Sequence, residues 1–363
     1  MKAPLCLGIE SSCDDTSLAL VRQGRLVEQV TAGQGELHAL FGGVVPEVAS
    51  REHGRFIGPL FDRLLAQSGV NASDLGLVAV ARGPGLLGSL LVGVAFAKAL
   101  ALGLGIPLLG VNHLHAHVFS AGLEKPLPLP ALALLVSGGH THLYRVTGPD
   151  ALQCLGKSLD DAAGEAFDKA GKMLGLPYPA GRLMDQLAEE GKASPDMFPR
   201  PYLANDNLDF SFSGLKTAMH TRAGAQREAA WDALTGDGKL PTGQARQDLA
   251  DLCASYRLAV VDTLAVKTCR ALDDKRMADA KALVLAGGVA ANSLLRQRMA
   301  AIAAQRGVEF ICPPLSLCMD NGAMIAYLGG LLAEKGLEHA LDMPSIPRGQ
   351  AVPDDMLGQK RHV

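Results

Sequence analysis

The chain lacks several features that mark exported proteins. Its seven cysteines are odd in number and include no CxxC pair, so the sequence implies neither a disulfide framework nor a cysteine zinc knuckle. The N-terminal residues reach acidic side chains before an apolar region of signal-peptide length can form, which argues against export. We therefore expect a cytoplasmic protein.

No uninterrupted apolar run is long enough to span a bilayer. The stretch from Leu75 to Val111 comes closest, but Arg82, Lys98, two prolines and many glycines interrupt it. We predict a buried strand over Leu77–Ala81, a helix over Ser89–Leu102 and a second strand, and no membrane partner.

A strongly basic composition is also missing. Lys and Arg number 34 against 37 Asp and Glu, so a nucleic-acid partner has to meet a local patch. Hydrophobic residues make up 48% and charged residues 20%, which excludes disorder for most of the chain. The length of 363 residues favours two domains or lobes.

Apolar runs rich in β-branched residues alternate with stretches of helical period, the pattern of an α/β protein. Two hairpins follow the same plan: residues 5–21 surround an acidic turn, and residues 132–146 surround Ser137–Thr141. This repetition predicts a duplicated lobe, with coincidence between unrelated hairpins as the alternative.

Glycine-rich segments are candidates for binding phosphate or nucleoside. Gly83–Gly88 fits G-x-G-x-x-G, but no acidic residue follows until Glu124, so we reject a dinucleotide site. A GxxxxGK[ST] loop is absent. Ser137–Gly139 and Ala286–Asn292 each follow a strand, where glycine allows a ligand to approach the backbone; the alternative is a tight turn without a ligand.

Three histidines within five positions predict a metal site. A helix starting at His113 places His113 and His117 on one face, and Asp320 is our candidate for a third ligand. Leu114 stands where zinc proteases carry Glu, which disfavours a protease. His115 points off the shared face and is a bystander or a hydrogen-bond donor. The alternative is a set of ordinary polar histidines.

Glu10, Asp14 and Asp15 crowd the first turn. Crowding can raise a carboxyl pKa towards use as a general base, while the alternative is a solvated turn.

Residues 158–174 predict an amphipathic helix. Four charged residues share its solvent face: Asp161, Glu165, Asp168 and Lys172. Asp168 can also contact ribose hydroxyls, because the Pro179–Gly181 turn follows. Residues 221–247 predict a variable surface segment before a helix over Asp248–Leu272, and residues 343–363 predict a loose tail.

Six segments together resemble the tRNA threonylcarbamoyladenosine transferase family, over about Leu5 to Leu328. They are Gly8–Thr16, Gly83–Leu86, His113–His117, Val136–Thr141, Asp160–Lys169 and Gly287–Asn292. The resemblance implies an α/β, actin-like (sugar kinase, Hsp70, actin) fold of two duplicated lobes with an interlobe cleft. It divides the chain into lobe 1–126 completed by about 318–342, lobe 127–317, and tail 343–363.

The resemblance also implies transfer of threonylcarbamoyl from threonylcarbamoyl-AMP to N6 of adenosine 37 in tRNAs reading codons that start with A. The family's metal ligands fall on His113, His117 and Asp320, with iron(II) favoured and zinc the alternative. Its substrate contacts fall on Val136, Ser137, Gly138, Gly139, His140, Asp168, Gly181 and Asn292. For the amine proton, our hypothesis assigns Asp14 or Asp15 as the catalytic acceptor. Many relatives carry Glu at the positions of Asp15 and His115.

The implied partners are tRNA, a catalytically inactive paralogue of the same fold and a small P-loop ATPase. The small-residue helix after Gly88 is a candidate contact for the paralogue, with a buried core helix as the alternative. Rival functions are an ATP-dependent small-molecule kinase of the same fold, a metallopeptidase, and a nucleotide-gated assembly protein.

Overall fold

Strands and helices alternate along the computed structural model, which describes residues 4–123, 125–234 and 240–358. The first elements are β1 (Leu5–Glu10), β2 (Asp15–Arg22), β3 (Arg25–Gly33), α1 (Gly35–Ala39), α2 (Pro46–Ser68), β4 (Leu75–Gly83), α3 (Leu87–Leu104), β5 (Leu108–Asn112) and α4 (His113–Ser120). Next come β6 (Ala131–Val136), β7 (Thr141–Gly148), β8 (Ala151–Lys157), α5 (Ala163–Met173), α6 (Gly181–Glu190), α7 (Ser213–Leu234), α8 (Gly243–Leu272), β9 (Ala282–Ala286) and α9 (Ser293–Gln305). The last are β10 (Glu309–Ile311), α10 (Gly322–Glu334), β11 (Leu337–Glu338) and β12 (Leu357–Gly358).

These elements form two units. Unit 1 comprises Met1–Leu127, Gly148–Ala151 and Pro313–Val363, and unit 2 comprises Pro128–Thr147 and Leu152–Cys312. Each unit contains a five-stranded mixed sheet, in the order β3-β2-β1-β4-β5 in unit 1 and β8-β7-β6-β9-β10 in unit 2. In unit 1, β1 pairs antiparallel with β2 and β2 with β3, and β4 and β5 add in parallel. In unit 2, β6 pairs antiparallel with β7, β8 lies beside β7, and β9 and β10 add in parallel. The second sheet therefore repeats the topology of the first, and the α/β prediction is confirmed.

The central strand β1 is covered on both faces. Leu5, Leu7 and Ile9 lie in an apolar core that also includes side chains of α2 and α3. On the opposite face, α10 lies so close that a Cβ on Gly8 would be 2.1 Å from the carbonyl oxygen of Gly322. Glycine at position 8 allows this contact with β1, and glycine at position 322 allows α10 to approach the backbone of Leu18 and Ala19 in β2.

The predicted strand, helix and strand are confirmed as β4, α3 and β5. Helix α3 buries Leu90 and Val94 against the sheet, while Leu91 and Leu102 are exposed. By length and composition α3 is apolar enough to cross a membrane, a criterion that core helices of globular domains also meet.

The helix predicted from Ser158 begins only at Ala163. Residues before it serve other contacts: the Asp160 carboxylate accepts hydrogen bonds from the Phe212 N–H (2.8 Å) and the Ser211 hydroxyl (2.5 Å), next to the start of α7. Asp161 is therefore not helical, yet its carboxylate pairs with Lys169 at 2.6 Å.

Two other segments are more ordered than predicted. Residues 221–234 belong to α7, and α8 begins at Gly243 rather than at residue 248; residues 235–239 lie outside the described residues. From Met343, the segment predicted to be loose packs on unit 1 as far as it is described. Ile346 N–H donates to the Arg82 carbonyl (2.7 Å), and the buried Arg82 guanidinium pairs with Asp355 (2.6 Å).

Candidate active site

The histidine pair lies at the start of α4, where β5 ends. The Asn112 side chain accepts hydrogen bonds from the backbone N–H groups of Leu114 (3.0 Å) and His115 (3.4 Å), so the helix begins at His113. His113 and His117 then lie on successive turns, with ring centroids 4.7 Å apart and planes crossing at 83°. Both imidazoles are buried.

Asp320 lies directly before α10, whose first turn is capped by Asn321. Its Oδ1 is 3.0 Å from Nε2 of His117 and 3.7 Å from Nε2 of His113. The three candidate ligand atoms all lie within 4.8 Å of one another. The structure thus brings together the three residues predicted as ligands, from segments 203 residues apart in sequence.

The donor set fits a divalent transition metal. Two imidazole nitrogens and one carboxylate oxygen suit iron(II) or zinc and leave coordination positions for substrate. Nδ1 of His117 is buried without a hydrogen-bond partner among the described residues, so the contact of this ring with Asp320 is made through Nε2. Burial alone would lower the pKa of His113, but the carboxylates of Glu10 and Asp320 raise it by more than burial lowers it, so that the net pKa is about 9. The site therefore attracts positive charge.

The acidic turn of the first hairpin adjoins this set. Asp15 opens β2, and its pKa is raised to about 7 by burial and then by the negative charges of Asp320, Asp14 and Glu10. His53 on α2 contacts both ends of the turn through its imidazole. Its Nε2 lies 2.9 Å from the Cys13 carbonyl oxygen, and its Nδ1 lies 2.7 Å from the Thr16 hydroxyl. Sequence reasoning missed this contact.

In unit 2, the Ser137–His140 turn lies against the N-terminus of α5. Ser137 N–H donates to the His140 carbonyl (2.8 Å), and Gly164 N–H donates to the Ser137 carbonyl (3.3 Å). A Cβ on Gly164 would be 2.5 Å from that carbonyl oxygen, so glycine is required there. A Cβ on Gly138 would have no atom within 4 Å, which leaves that side of the turn open to a ligand within the described part of the chain.

Asp168 and Gly181 are neighbours, as the sequence analysis expected from the Pro179–Gly181 turn. Asp168 Oδ1 accepts a hydrogen bond from Ala180 N–H at 2.9 Å, at the start of α6. Burial raises the pKa of Asp168, and hydrogen bonds from the N–H groups of Ala180 and Gly181 partly offset this. The carboxylate therefore caps α6.

The Ala286–Asn292 segment has a packing reason for its first glycine. Gly287 has φ +89°, and a Cβ there would be 2.4 Å from the Val136 carbonyl oxygen. This glycine is needed for close approach to β6, and approach of a ligand to the same segment stays a prediction.

Asn292 is held by protein groups on both sides of its amide. Its Oδ1 accepts from Leu295 N–H (3.0 Å) and its Nδ2 donates to Asp185 Oδ1 (2.7 Å). Arg257 donates to the same oxygen at 2.8 Å. Asp185 and Arg257 therefore orient a predicted substrate contact, although no motif singled them out.

His142, next to the Ser137–His140 turn, predicts a pH-dependent stability. Its Nδ1 lies 2.6 Å from the Tyr144 hydroxyl, and burial, followed by the charge of Lys157, lowers its pKa from 6.5 to about 4. As pH falls from about 6.5 to about 4, the unfolded chain binds a proton that the folded chain does not, so stability is lost. Because of this group, the free energy of unfolding at pH 5 is about 2 kcal/mol lower than at neutral pH. We expect His142→Gln to lose less stability than the wild type between pH 7 and pH 5 in urea unfolding.

Exposed His220 provides the control for this measurement. We expect His220→Gln to follow the wild-type pH dependence, and equal losses in all three proteins would contradict the prediction.

Comparison with known proteins places this site in a family. A family model for tRNA N6-adenosine threonylcarbamoyltransferase matches residues 25–327. A protein of that name from Desulfovibrio desulfuricans is 61% identical over 355 residues, covering 97% of this chain and 96% of the relative. Another, from Nitratidesulfovibrio vulgaris, is 58% identical over 356 residues and covers 97% of both chains.

Among solved structures, HypF from T. kodakarensis aligns with a TM-score of 0.53 at 15% identity, covering 91% of this chain and 47% of that one. This likeness shows the fold alone, and with the repeated sheet order it confirms the predicted actin-like class. The family match over most of the chain, together with relatives that are 58% and 61% identical, establishes the assignment: the chain belongs to the tRNA N6-adenosine threonylcarbamoyltransferase family.

Proposed function

We propose that this protein transfers the threonylcarbamoyl group from threonylcarbamoyl-AMP to N6 of adenosine 37 in tRNAs that read codons beginning with A. High identity over 97% of the chain to enzymes of that name carries the proposal. The cluster formed by buried His113 and His117 with half-buried Asp320 supports it.

The reaction forms a bond between N6 and the carbamoyl carbon and breaks the bond from that carbon to the phosphate oxygen, so AMP leaves. The exocyclic amine is a poor nucleophile and has to lose a proton. A divalent cation held by His113, His117 and Asp320 would act as a Lewis acid and template for the acyl oxygens. We propose iron(II) for this position, with zinc as the alternative.

In unit 2, we propose that the adenylate is bound by eight residues: Val136, Ser137, Gly138, Gly139, His140, Asp168, Gly181 and Asn292. The open side of Gly138 supports approach of an anion to the backbone. The Asp168 carboxylate and the Asn292 amide are oriented by helix-capping contacts, which supports their use as fixed hydrogen-bonding groups for the nucleoside.

For the lobes we propose that the first comprises residues 1–126 with about 318–342, that the second comprises residues 127–317, and that a tail begins at residue 343.

The direct test is mass analysis of position-37 nucleosides in tRNA incubated with this protein, threonylcarbamoyl-AMP and the partner proteins. We expect modified adenosine and stoichiometric AMP. ADP with a phosphorylated metabolite would instead support a kinase of the same fold. A peptidase remains disfavoured because Leu114 stands where a protease carries its general base. Activity that disappeared on dilution would favour the assembly protein.

We propose that Asp14 or Asp15 accepts the proton from N6. The Asp15 pKa of about 7 in the protein without a cation supports a base in this turn, and a bound cation would lower that pKa. We expect Asp14→Asn to retain adenylate binding and to slow single-turnover transfer by about 100-fold, within the usual range for general-base catalysis. Unchanged single-turnover transfer in both Asp14→Asn and Asp15→Asn would rule out this turn as the base.

The partners we propose are tRNA, an inactive paralogue of the same fold and a small P-loop ATPase, acting in the cytoplasm. For the paralogue, the exposed apolar face of α3 supports a helix contact through Leu87, Leu91 and Leu102, which are 46%, 52% and 68% exposed. We expect Leu91→Arg to abolish co-purification with the paralogue without lowering the unfolding temperature. Intact binding by this variant would contradict the contact.

A further inference from the structure

We propose that Glu10 is a positioning residue that orients His113 to bind metal through Nε2. Glu10 ends β1 and is fully buried. Its Oε2 lies 2.9 Å from Nδ1 of His113, and its Oε1 accepts a hydrogen bond from Ser12 N–H at 2.6 Å. The inference rests on the metal site of the proposed function and assigns a role to a residue outside that site.

The sheet register explains how this pair forms. Strands β1, β4 and β5 are parallel, with Ile9 beside Val80 and Val80 beside Gly110. The carboxyl ends of these strands therefore lie at one edge of the sheet, where Glu10 follows Ile9 and His113 follows β5. The strand order thus places the Glu10 carboxylate next to Nδ1 of His113, the first residue of α4.

The hydrogen bonds explain why the residue is an acid. Ser12 N–H is an obligate donor, so one carboxylate oxygen is occupied by the backbone. The other oxygen of the carboxylate can only accept, which places a proton on His113 Nδ1 and leaves Nε2, the nitrogen on the side of Asp320, to bind the metal. A carboxylate that holds one imidazole nitrogen in this way fixes the tautomer and ring orientation of a metal ligand.

Glutamine cannot reproduce both contacts. Its amide has one accepting oxygen, so its NH2 group would face either Ser12 N–H or His113 Nδ1–H. The second histidine offers a contrast, because His117 Nδ1 has no hydrogen-bond partner in the described part of the chain. Of the two imidazoles, only His113 is held by a carboxylate in this manner.

The test measures zinc affinity of the full-length protein by competition with a chromophoric chelator. We expect Glu10→Gln to bind zinc about 10- to 100-fold more weakly than the wild type, the usual loss for such an outer partner. Ser12→Ala is the matched variant, since it removes only the weaker contact at the same nitrogen, the Ser12 hydroxyl at 3.2 Å. We expect its zinc affinity to stay within threefold of the wild type, and wild-type affinity in Glu10→Gln would overturn the proposal.

A second readout does not require the variant to fold. In 15N NMR of the zinc-loaded wild type, we expect His113 to carry its proton on Nδ1 and zinc on Nε2. Zinc on Nδ1 would overturn the role of Glu10 while leaving the metal site intact. A wild type that transferred threonylcarbamoyl without binding any metal would overturn the metal site and this inference, but not the transferase function.

Discussion

Replacing His117 with alanine should remove bound metal and threonylcarbamoyl transfer together. The ring is fully buried, and its Nε2 lies 3.0 Å from Asp320 Oδ1. A side chain from the surface therefore cannot replace it as a metal ligand unless α4 repacks. Loss of a direct ligand should exceed the effect of losing an outer partner, so we expect metal affinity to fall by more than about 100-fold. Transfer should fall to the background rate.

His115→Ala is the control, because this side chain is half-buried and lies off the face shared by the pair. Metal content by mass spectrometry and single-turnover transfer should stay near wild-type values in this variant. Full transfer by His117→Ala, or by wild-type protein stripped of metal, would show that the cation has no part in the reaction.

The second large effect is expected from Gly8→Ala. The added methyl group would lie 2.1 Å from the Gly322 carbonyl oxygen and 2.4 Å from Ala326 N, both backbone atoms of α10. Because the helix backbone cannot yield locally, α10 has to move off β1. We expect a loss of about 3 kcal/mol in the free energy of unfolding, at the upper end for overpacked cores. Urea unfolding at neutral pH measures it.

This displacement should also reach the metal site, since Asp320 lies two residues before Gly322. We expect weaker zinc binding in Gly8→Ala even where the variant remains folded. Gly330→Ala is the control: it makes the same substitution in α10, at a position where a Cβ meets no atom within 4 Å in the described residues. A helical alanine there should be neutral or stabilising. Equal unfolding free energies in the two variants would refute the packing argument.

The fold was predictable where a pattern lies within one short stretch. The hairpins and the β4–α3–β5 unit carry their own periodicity and turn residues, so their positions are confirmed to within a few residues. The predicted helix start at Ser158 is five residues too early. Asp160 accepts hydrogen bonds from Ser211 and Phe212, and no local pattern in the sequence indicates these contacts.

The same distinction applies to the site. The i, i+4 spacing of His113 and His117 is a local signal, and it predicted correctly that the two rings share a face. Asp185, His53 and Glu10 contact functional segments from positions far away in the chain, and their types are ordinary in a sequence of this composition. Of these three residues, only Glu10 lies at the carboxyl end of a strand, where a search for buried polar residues could have found it.

The packing of α10 on β1 has a consequence for synthesis of the protein. Strand β1 leaves the ribosome about 300 residues before Asp320 and α10. A nascent polypeptide that has already formed the hairpin and the histidine helix still lacks one of its three cation-binding groups. Binding of metal at the proposed site thus has to await synthesis of Asp320, so a product that ends before this residue would lack one of the three proposed ligands.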